Sequence, residues 1–264
     1  MTDLARLSQT MHLCADQAGA VLKRYFRAPL PVTSKDDASP VTRADHEVET
    51  LLRQIIQSAH PTDEILGEEF GGDPSGAGWQ WVIDPIDGTR AFITGRPSFT
   101  TLIAVLRDGV PYAGLIDQPI TGERWFGMTG AETRFTSATM SGQVGTRRAT
   151  ASLADAELSC TAPDMHIGEN ATRFAQLQRR VRRTSWGGDA YAYGLLSLGM
   201  IDIIAESTMK IWDWAALVPI VEGAGGCITD WHGRKLTAES DGTVLACASP
   251  SLSREALTAL NAPS

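Results

Sequence analysis

The sequence predicts a mixed α/β protein, in which an N-terminal α+β half precedes a C-terminal half of alternating strands and helices. Apolar residues recur at spacings of three and four near the start, which is typical of amphipathic helices. Four apolar runs punctuated by glycines follow, and strand and helix patterns then alternate. We place the boundary in the polar stretch TSATMSGQVGT, which gives an N-terminal half over residues 1–137 and a C-terminal half over residues 138–264.

Two helices are predicted in the N-terminal half. The first ends before Pro29 and carries one apolar stripe, formed by Leu4, Leu7, Met11, Cys14, Ala18, Val21 and Tyr25. The polar loop SKDDASP follows, and Thr42 is then expected to cap a second helix. The inner face of that second helix is predicted to be Val48, Leu51, Leu52, Ile55 and Ile56.

Four strands are predicted next in the chain. They cover residues 79–83, 100–106, 112–116 and 124–128. Gly109 and Gly122 separate the last three runs, as expected for hairpin turns. We therefore predict an antiparallel sheet in this half.

The C-terminal half is predicted to form layers of strands and helices. Strands are expected in ELSCTA, IDIIAE, GCITD and TVLACA. Helices are expected near residues 171–181, 191–198 and 214–222 and at the C-terminus. Such alternation is typical of layered α/β folds.

Composition narrows the function classes. The chain has 264 residues and 28.4 kDa, and its formal net charge of −8 disfavours binding to nucleic acid or to anionic membranes. The four cysteines form no CxxC pair, and the start MTDLARLSQT has no apolar core of a secretory leader. We therefore expect a cytoplasmic protein without membrane or nucleic-acid partners.

A pair of acids ends the first predicted strand in WQWVIDPIDGTRAF. On their own, Asp84 and Asp87 are compatible with ordinary turns, because Asp-Pro and Asp-Gly are common turn dipeptides. However, Pro85 restricts the backbone between them, and Gly88 permits a sharp entry into a short helix near Thr89. Both carboxylates and a backbone carbonyl could then converge as the oxygen ligands that Mg²⁺ prefers.

Two further segments supply candidate ligands. GEEFGG contains Glu68 and Glu69, which would otherwise be solvated loop residues, and WDWAA contains Asp213, which would otherwise be a helix N-cap. Carboxylate-held Mg²⁺ ions commonly complete their coordination with water and substrate phosphate. A phosphate ester is therefore the expected substrate. No GxxxxGK[ST] or GxGxxG motif occurs, so nucleotide-dependent transfer is not expected. The Gly88 and Thr89 amides, at the start of the short helix, are candidate phosphate donors.

The combination of GEE at 67–69, DPIDGT at 84–89, WD at 212–213 and EGAGG at 222–226 resembles the inositol monophosphatase family of Mg²⁺-dependent phosphatases. The resemblance implies the layered αβαβα sandwich of the inositol monophosphatase and fructose-1,6-bisphosphatase type, two or three Mg²⁺ ions per active site and a homodimer. The metal ligands that it implies are Glu68, Asp84, the Ile86 carbonyl, Asp87 and Asp213. The catalytic residues that it implies are Asp45, Glu68 and Thr89, of which Asp45 and Thr89 orient and deprotonate the attacking water. By itself, Asp45 would be interpreted as the acid of a helix capping box with Thr42.

The substrate is addressed by finer features. DGTRAF departs from the DGT-x-N-[FY] of typical inositol phosphatases, and with SWGGDAYAYG at 185–194 it resembles the histidinol-phosphate phosphatase branch. This implies hydrolysis of L-histidinol phosphate in histidine biosynthesis, with inositol 1-phosphate or another small phosphate monoester as the alternative. The substrate-binding residues expected from it are Gly88, Thr89, Arg90, Asp189, Glu206 and Asp213. Other interpretations stay open: Asp189 as a helix N-cap, Glu206 as a solvent-exposed strand end and Arg90 as a surface charge.

Some features depart from the family or suggest another class. Trp214 is bulkier than expected beside a substrate pocket, and residues 136–150 lack an Asn-Gly hairpin. Lys35 corresponds to a family lysine near a third metal site, although most lysines in such loops are solvated. A phosphate sensor without turnover is a different possibility. Such a protein would be expected to have lost the water-activating pair, but Asp45 and Thr89 are both present.

Overall fold

The computed structural model describes residues 3–29, 32–34, 40–72, 76–140, 142–146 and 152–262. Lys35 and parts of the predicted boundary segment lie outside these ranges. The helices are α1 (Asp3–Tyr25), α2 (Arg43–Ala59), α3 (Thr89–Ile93), α4 (Glu169–Gln178), α5 (Asp189–Ser197), α6 (Ile211–Trp214), α7 (Leu217–Gly223) and α8 (Pro250–Leu260). The strands are β1 (Val32–Ser34), β2 (Pro40–Thr42), β3 (Glu64–Gly67), β4 (Trp79–Asp87), β5 (Thr100–Arg107), β6 (Val110–Gln118), β7 (Glu123–Met128), β8 (Arg134–Ser137), β9 (Glu157–Cys160), β10 (Arg183–Trp186), β11 (Ile203–Glu206), β12 (Cys227–Thr229) and β13 (Val244–Cys247).

Both predicted N-terminal helices are confirmed. α1 begins and ends close to the predicted stripe, although Leu4 at its start is exposed. Thr42 caps α2, since its hydroxyl accepts a hydrogen bond from the Ala44 amide at 3.1 Å. The Asp45 carboxylate in turn accepts the Thr42 amide at 2.8 Å, which completes a capping box.

The first large sheet has six strands in the order β3-β4-β5-β6-β7-β8. The four predicted strands are all present, and Gly109 and Gly122 both adopt positive φ at the predicted hairpins. The four predicted strands, β4 to β7, pair antiparallel as predicted, but the sheet also contains β3, which was not predicted and pairs with β4 in parallel. The apolar part of β3 is only the pair Ile65-Leu66, and this run is too short to be identified as a strand from its pattern.

The second large sheet has five strands in the order β10-β9-β11-β13-β12. β9 runs parallel to both β10 and β11, whereas β13 is antiparallel to its two neighbours. β10 was missed because its sequence RTSW is polar and largely exposed at the sheet edge. The helix predicted over residues 214–222 is in fact two helices, α6 and α7, with Pro219 in the first turn of α7, where a missing amide hydrogen is tolerated.

Three apolar clusters show that the elements stack in five layers. α1 and α2 cover one face of the six-stranded sheet, α5 and α7 lie between the two sheets, and α4 and α8 cover the far face of the five-stranded sheet. Successive residues of one strand enter different clusters: Val82 faces the middle layer, and its neighbours Trp81 and Ile83 face α1 and α2. This order is the αβαβα sandwich expected from the resemblance.

The described part of the chain contains no helix that combines the length and the apolar character needed to cross a membrane. The division between residues 137 and 138 stays a prediction.

Candidate active site

A bulge at the end of β4 brings the first two acids together. Asp84 pairs with Leu102 and Asp87 pairs with Thr100, so two residues of β4 lie opposite the single Thr101 of β5. The Thr101 hydroxyl donates to the Pro85 carbonyl at 2.9 Å and holds this irregular segment. Side chains three residues apart on a regular strand point to opposite faces, and the bulge removes that constraint. Asp84 and Asp87 can therefore converge.

Asp213 is the third member of this carboxylate cluster. Single oxygens of Asp84, Asp87 and Asp213 all lie within 4.8 Å of one another. The N-cap interpretation of Asp213 is wrong, because Lys210 is the N-cap of α6 and Asp213 is the third helical residue. One Asp213 oxygen accepts the Lys210 amide at 2.7 Å, which fixes the carboxylate at the start of the short helix.

The electrostatics of this cluster favour a bound cation. Burial raises the pKa of Asp84 well above its ordinary value, and the charges of Glu68, Asp87 and Asp213 raise it further. The pKa of Asp87 is likewise raised, by burial and then by Asp189 and Asp213. Burial is also the main reason that the pKa of Asp213 rises to about 7. Converging buried carboxylates need protons or a cation, and an all-oxygen donor set fits a hard divalent ion.

The segment after the bulge supplies the Ile86 carbonyl and Thr89. The Ile86 amide donates to Asp84 at 3.0 Å, and the Thr89 hydroxyl donates to the Ile86 carbonyl at 3.0 Å. Gly88 precedes α3 with φ +77, a left-handed conformation that favours glycine. A side chain at Gly88 would approach the Asp189 carboxylate to 3.0 Å. The predicted metal and phosphate residues of this segment therefore lie together, and their roles stay predictions.

Asp45 combines a structural contact with an available oxygen. One of its carboxylate oxygens accepts the Thr42 amide and hydroxyl, as the capping-box interpretation requires. The other oxygen is buried, and none of the described residues offers it a hydrogen bond. Burial raises the pKa of Asp45, and the negative charge of Glu68 contributes in the same direction. Asp45 is 0% exposed and is not among the residues that line the cleft, so its role towards the attacking water stays a prediction.

A cleft of about 380 Å³ opens above the carboxylate cluster. The predicted site residues that line it are Glu68, Gly88, Thr89, Arg90, Asp189 and Asp213. The lining residues that sequence reasoning missed are Thr161, Ala162, Asp164, Met165 and Thr208. These follow β9 and β11, which are parallel neighbours, so their carboxyl ends meet at the same edge of the sheet. That topological rule was the available signal, because no local motif marks the segments.

Asp189 lies at the mouth of this cleft. The N-cap interpretation is wrong, because Gly188 is the N-cap of α5 and Asp189 is its first residue, with a positive φ of 45°. Burial and the charge of Glu206 raise the pKa of Asp189 to about 6, while Arg90 and Arg96 oppose that rise. Arg90 is exposed and lies 3.9 Å from Asp164 across the cleft.

Glu206 is placed differently from the expectation. It is only 3% exposed, so the interpretation as a solvated strand end is wrong. Its two oxygens accept the Thr161 amide at 2.8 Å and the Tyr193 hydroxyl at 2.9 Å. Glu206 is not among the residues that line the cleft, and it supports the lining residue Thr161. Its direct contact with substrate stays a prediction.

Trp214 does not narrow the cleft. Its side chain is 2% exposed and belongs to the apolar cluster between the two sheets. The expectation that its bulk lies beside the substrate pocket was therefore wrong. Consecutive side chains of a helix point in different directions, so Asp213 of α6 lies with the carboxylates while Trp214 packs in the core.

Comparisons with known proteins agree with this geometry. A model of the inositol monophosphatase family matches residues 3–262. The chain is 41% identical over 247 residues to the bifunctional phosphatase IMPL2 of Arabidopsis thaliana, covering 93% of this chain and 70% of the relative. It is 37% identical to a histidinol-phosphatase of Mycobacterium tuberculosis, covering 94% and 95% of the two chains. A solved inositol monophosphatase from Zymomonas mobilis superimposes with a TM-score of 0.87 at 43% identity, covering 98% and 99%. The chain therefore belongs to the inositol monophosphatase family and is a phosphatase of that superfamily.

Proposed function

We propose that the protein is a Mg²⁺-dependent phosphomonoesterase that hydrolyses L-histidinol phosphate to L-histidinol and phosphate in histidine biosynthesis. The observation that carries this proposal is Asp189, a carboxylate at the cleft separate from the three-acid cluster. The similarity to the histidinol-phosphatase of Mycobacterium tuberculosis supports the same substrate.

The charges around the cleft suit a substrate with a phosphate at one end and cations at the other. Histidinol phosphate carries an ammonium and an imidazole remote from its phosphate. Asp189 and Asp164 offer carboxylates to those groups, and charge-assisted hydrogen bonds are roughly twice as strong as neutral ones. An inositol ring carries no cation and would offer these acids no charge-assisted hydrogen bond from the substrate.

The metal would be held by Glu68, Asp84, the Ile86 carbonyl, Asp87 and Asp213. When bound, Mg²⁺ supplies Lewis acidity toward the phosphoryl oxygens and lowers the pKa of water. The chain's own groups then complete the reaction. Asp45 accepts a proton from the attacking water through its second oxygen, and the Thr89 hydroxyl orients that water. The Gly88 and Thr89 amides face the phosphate, while Arg90, Asp189 and Asp213 position the alcohol.

The deciding experiment measures phosphate release in Mg²⁺, with an EDTA blank, from L-histidinol phosphate and myo-inositol 1-phosphate. We expect kcat/KM to favour histidinol phosphate by about a hundredfold, which corresponds to roughly 2.7 kcal/mol of transition-state binding. In Asp189→Asn, kcat/KM for histidinol phosphate should fall by about tenfold or more, with little change for inositol phosphate. Asp155→Asn, at an exposed residue that does not line the cleft, is the matched control and should alter neither value.

Inositol 1-phosphate is the second candidate substrate. The solved inositol monophosphatase from Zymomonas mobilis, at 43% identity, favours it. A preference for inositol phosphate in the wild type would reject the histidinol phosphate assignment. The phosphatase assignment would be unaffected by that result.

A further inference from the structure

A buried glutamate on α2 holds the loop that carries Glu68. Glu49 is 0% exposed, and its carboxylate accepts two backbone amides of the loop. The Glu69 amide donates at 2.7 Å and the Phe70 amide at 3.2 Å. Glu49 lies one helical turn after Asp45, so a single helix contacts the loop and also carries the predicted water-orienting acid.

Arg53 extends this contact by one more turn of α2. Its guanidinium donates to Glu49 at 2.9 Å and also to the Gly71 carbonyl. Gly67 and Gly71 close the loop with two reciprocal backbone hydrogen bonds of 3.1 and 3.0 Å. The Glu49–Arg53 ion pair therefore binds the loop twice: Glu49 accepts two loop amides, and Arg53 donates to a loop carbonyl.

The local sequence is adapted to this buried carboxylate. A side chain at Gly67 would lie 2.0 Å from a Glu49 oxygen, so only glycine leaves room for the contact. Phe70 of the loop is 51% exposed and packs on α2 through the ring of His46, at a centroid distance of 5.4 Å. Buried ion pairs are often no more stabilising than apolar residues of the same size. Stability alone therefore does not explain why Glu49 and Arg53 occupy this position.

We propose that Glu49, held by Arg53, is a positioning residue that places the Glu68 loop against the carboxylate cluster and so sets the affinity for the divalent ion. This inference rests on the proposed metal role of Glu68, and it does not depend on the identity of the substrate. The Glu68 amide donates to the Ile83 carbonyl at 3.2 Å, next to Asp84, and Glu68 lines the same cleft as Asp213. Groups that orient metal ligands from outside the coordination sphere typically contribute 10- to 100-fold to metal affinity.

The test is Mg²⁺ binding to the full-length protein, measured by titration calorimetry, for Glu49→Gln and for a matched control. Glutamine offers one acceptor oxygen, and its amide group would face backbone donors, so we expect the dissociation constant to rise about tenfold or more. The Mg²⁺ concentration for half-maximal activity should rise in parallel, while kcat at saturating Mg²⁺ stays close to that of the wild type. Glu47→Gln, on the same helix but bonded to Arg24 and Tyr25, should bind Mg²⁺ as the wild type does.

A second variant covers the case in which Glu49→Gln does not fold. Arg53→Lys keeps the positive charge but loses the planar fork that reaches Gly71, and we expect a rise of about threefold or more in the dissociation constant. Wild-type Mg²⁺ affinity in the folded variants would overturn the inference. Asp84→Asn separates this result from failure of the metal site: if it also binds Mg²⁺ like the wild type, the metal assignment itself is wrong.

Discussion

At the scale of single residues, the site concentrates negative charge where the fold gives it little solvent. Asp84 is 1% exposed and lies beside Glu68, Asp87 and Asp213. Asp117 is nearly as buried, but it forms an ion pair with Arg124 at 2.6 Å. Asp117 therefore has a positively charged partner, whereas the charges that raise the pKa of Asp84 come from other acids.

We expect Asp84→Asn to abolish turnover while the fold is retained. The loss in kcat should be about a thousandfold or more, equal to roughly 4 kcal/mol of transition-state stabilisation. In EDTA the melting temperature should stay the same or rise, because the substitution removes a buried charge from a like-charged cluster. Mg²⁺ should raise the melting temperature of the wild type but not of the variant.

Asp117→Asn is the matched control for this comparison. It breaks a buried ion pair whose two residues do not line the cleft, so the melting temperature should fall in EDTA. The kcat of the folded control should stay close to that of the wild type. An Asp84→Asn variant with near-normal turnover would contradict the metal assignment.

At the scale of elements, the connection from β4 to α3 decides the shape of the site. The bulge between Asp84 and Asp87 redirects the strand, and Gly88 then turns the backbone into α3 through a positive φ. The close approach of Asp189 to Gly88 joins this connection to the start of α5. One junction thus determines where the predicted metal ligands meet the predicted substrate residues.

Gly88→Ala is expected to lower kcat/KM by about tenfold, because its methyl group would press against the Asp189 carboxylate and disturb two binding groups together. The left-handed conformation adds a stability loss of about 1 kcal/mol. Gly122→Ala is the matched control, since Gly122 has φ +71 but open space around its Cα. It should show a similar stability loss with unchanged kcat/KM. Equal activity in the two variants would argue against a role for this junction.

At the scale of the whole molecule, the site requires both halves of the chain. The 1–137 half contributes Asp84, Asp87 and the Glu68 loop, and the 138–264 half contributes Asp189 and Asp213. The cleft residues within 161–165 and Thr208 come directly after β9 and β11 of the five-stranded sheet. Packing that joins the sheets through the middle helices is therefore also what assembles the site.

His166 should contribute a loss of folded-state stability between pH 7 and pH 5. Its ring stacks on Phe174 at 4.1 Å, and its two nitrogens contact Ser207 at 2.9 Å and Cys160 at 3.2 Å. Burial lowers the His166 pKa from 6.5 to about 4. The unfolded chain therefore binds a proton below pH 6.5 that the folded protein binds only near pH 4, so acidification favours unfolding.

The measurement is the melting temperature of His166→Gln at pH 7 and pH 5. The drop on acidification should be smaller in this variant than in the wild type, because the titrating imidazole is absent. Phe174→Leu weakens the ring stack but keeps the imidazole, so its drop should persist. An unchanged drop in His166→Gln would show that this histidine does not contribute to the pH dependence.

Features that depend only on neighbouring residues were predictable from the amino-acid sequence. The stripe of α1, the cap at Thr42, the hairpin glycines and the strand that ends at Asp84 were all predicted, because periodicity and turn chemistry act over a few residues. The motifs also identified the acids Asp84, Asp87 and Asp213 that converge in the structure. The sequence pattern did not reveal the parallel β3, the polar edge strand β10 or the break between α6 and α7, since strand pairing and burial in those places depend on distant partners.

Contacts between site residues that are distant in sequence became apparent from the folded structure alone. Asp213 joins Asp84 although their sequence separation is large, Trp214 turns into the core, and Glu206 is buried behind its bonds to Thr161 and Tyr193. Asp164 at the cleft and Glu49, which binds the Glu68 loop, carry no local sequence signature. The physical reason is that local propensities specify elements, whereas a site depends on the long-range packing of two sheets around a shared helical layer, which no short stretch of sequence encodes.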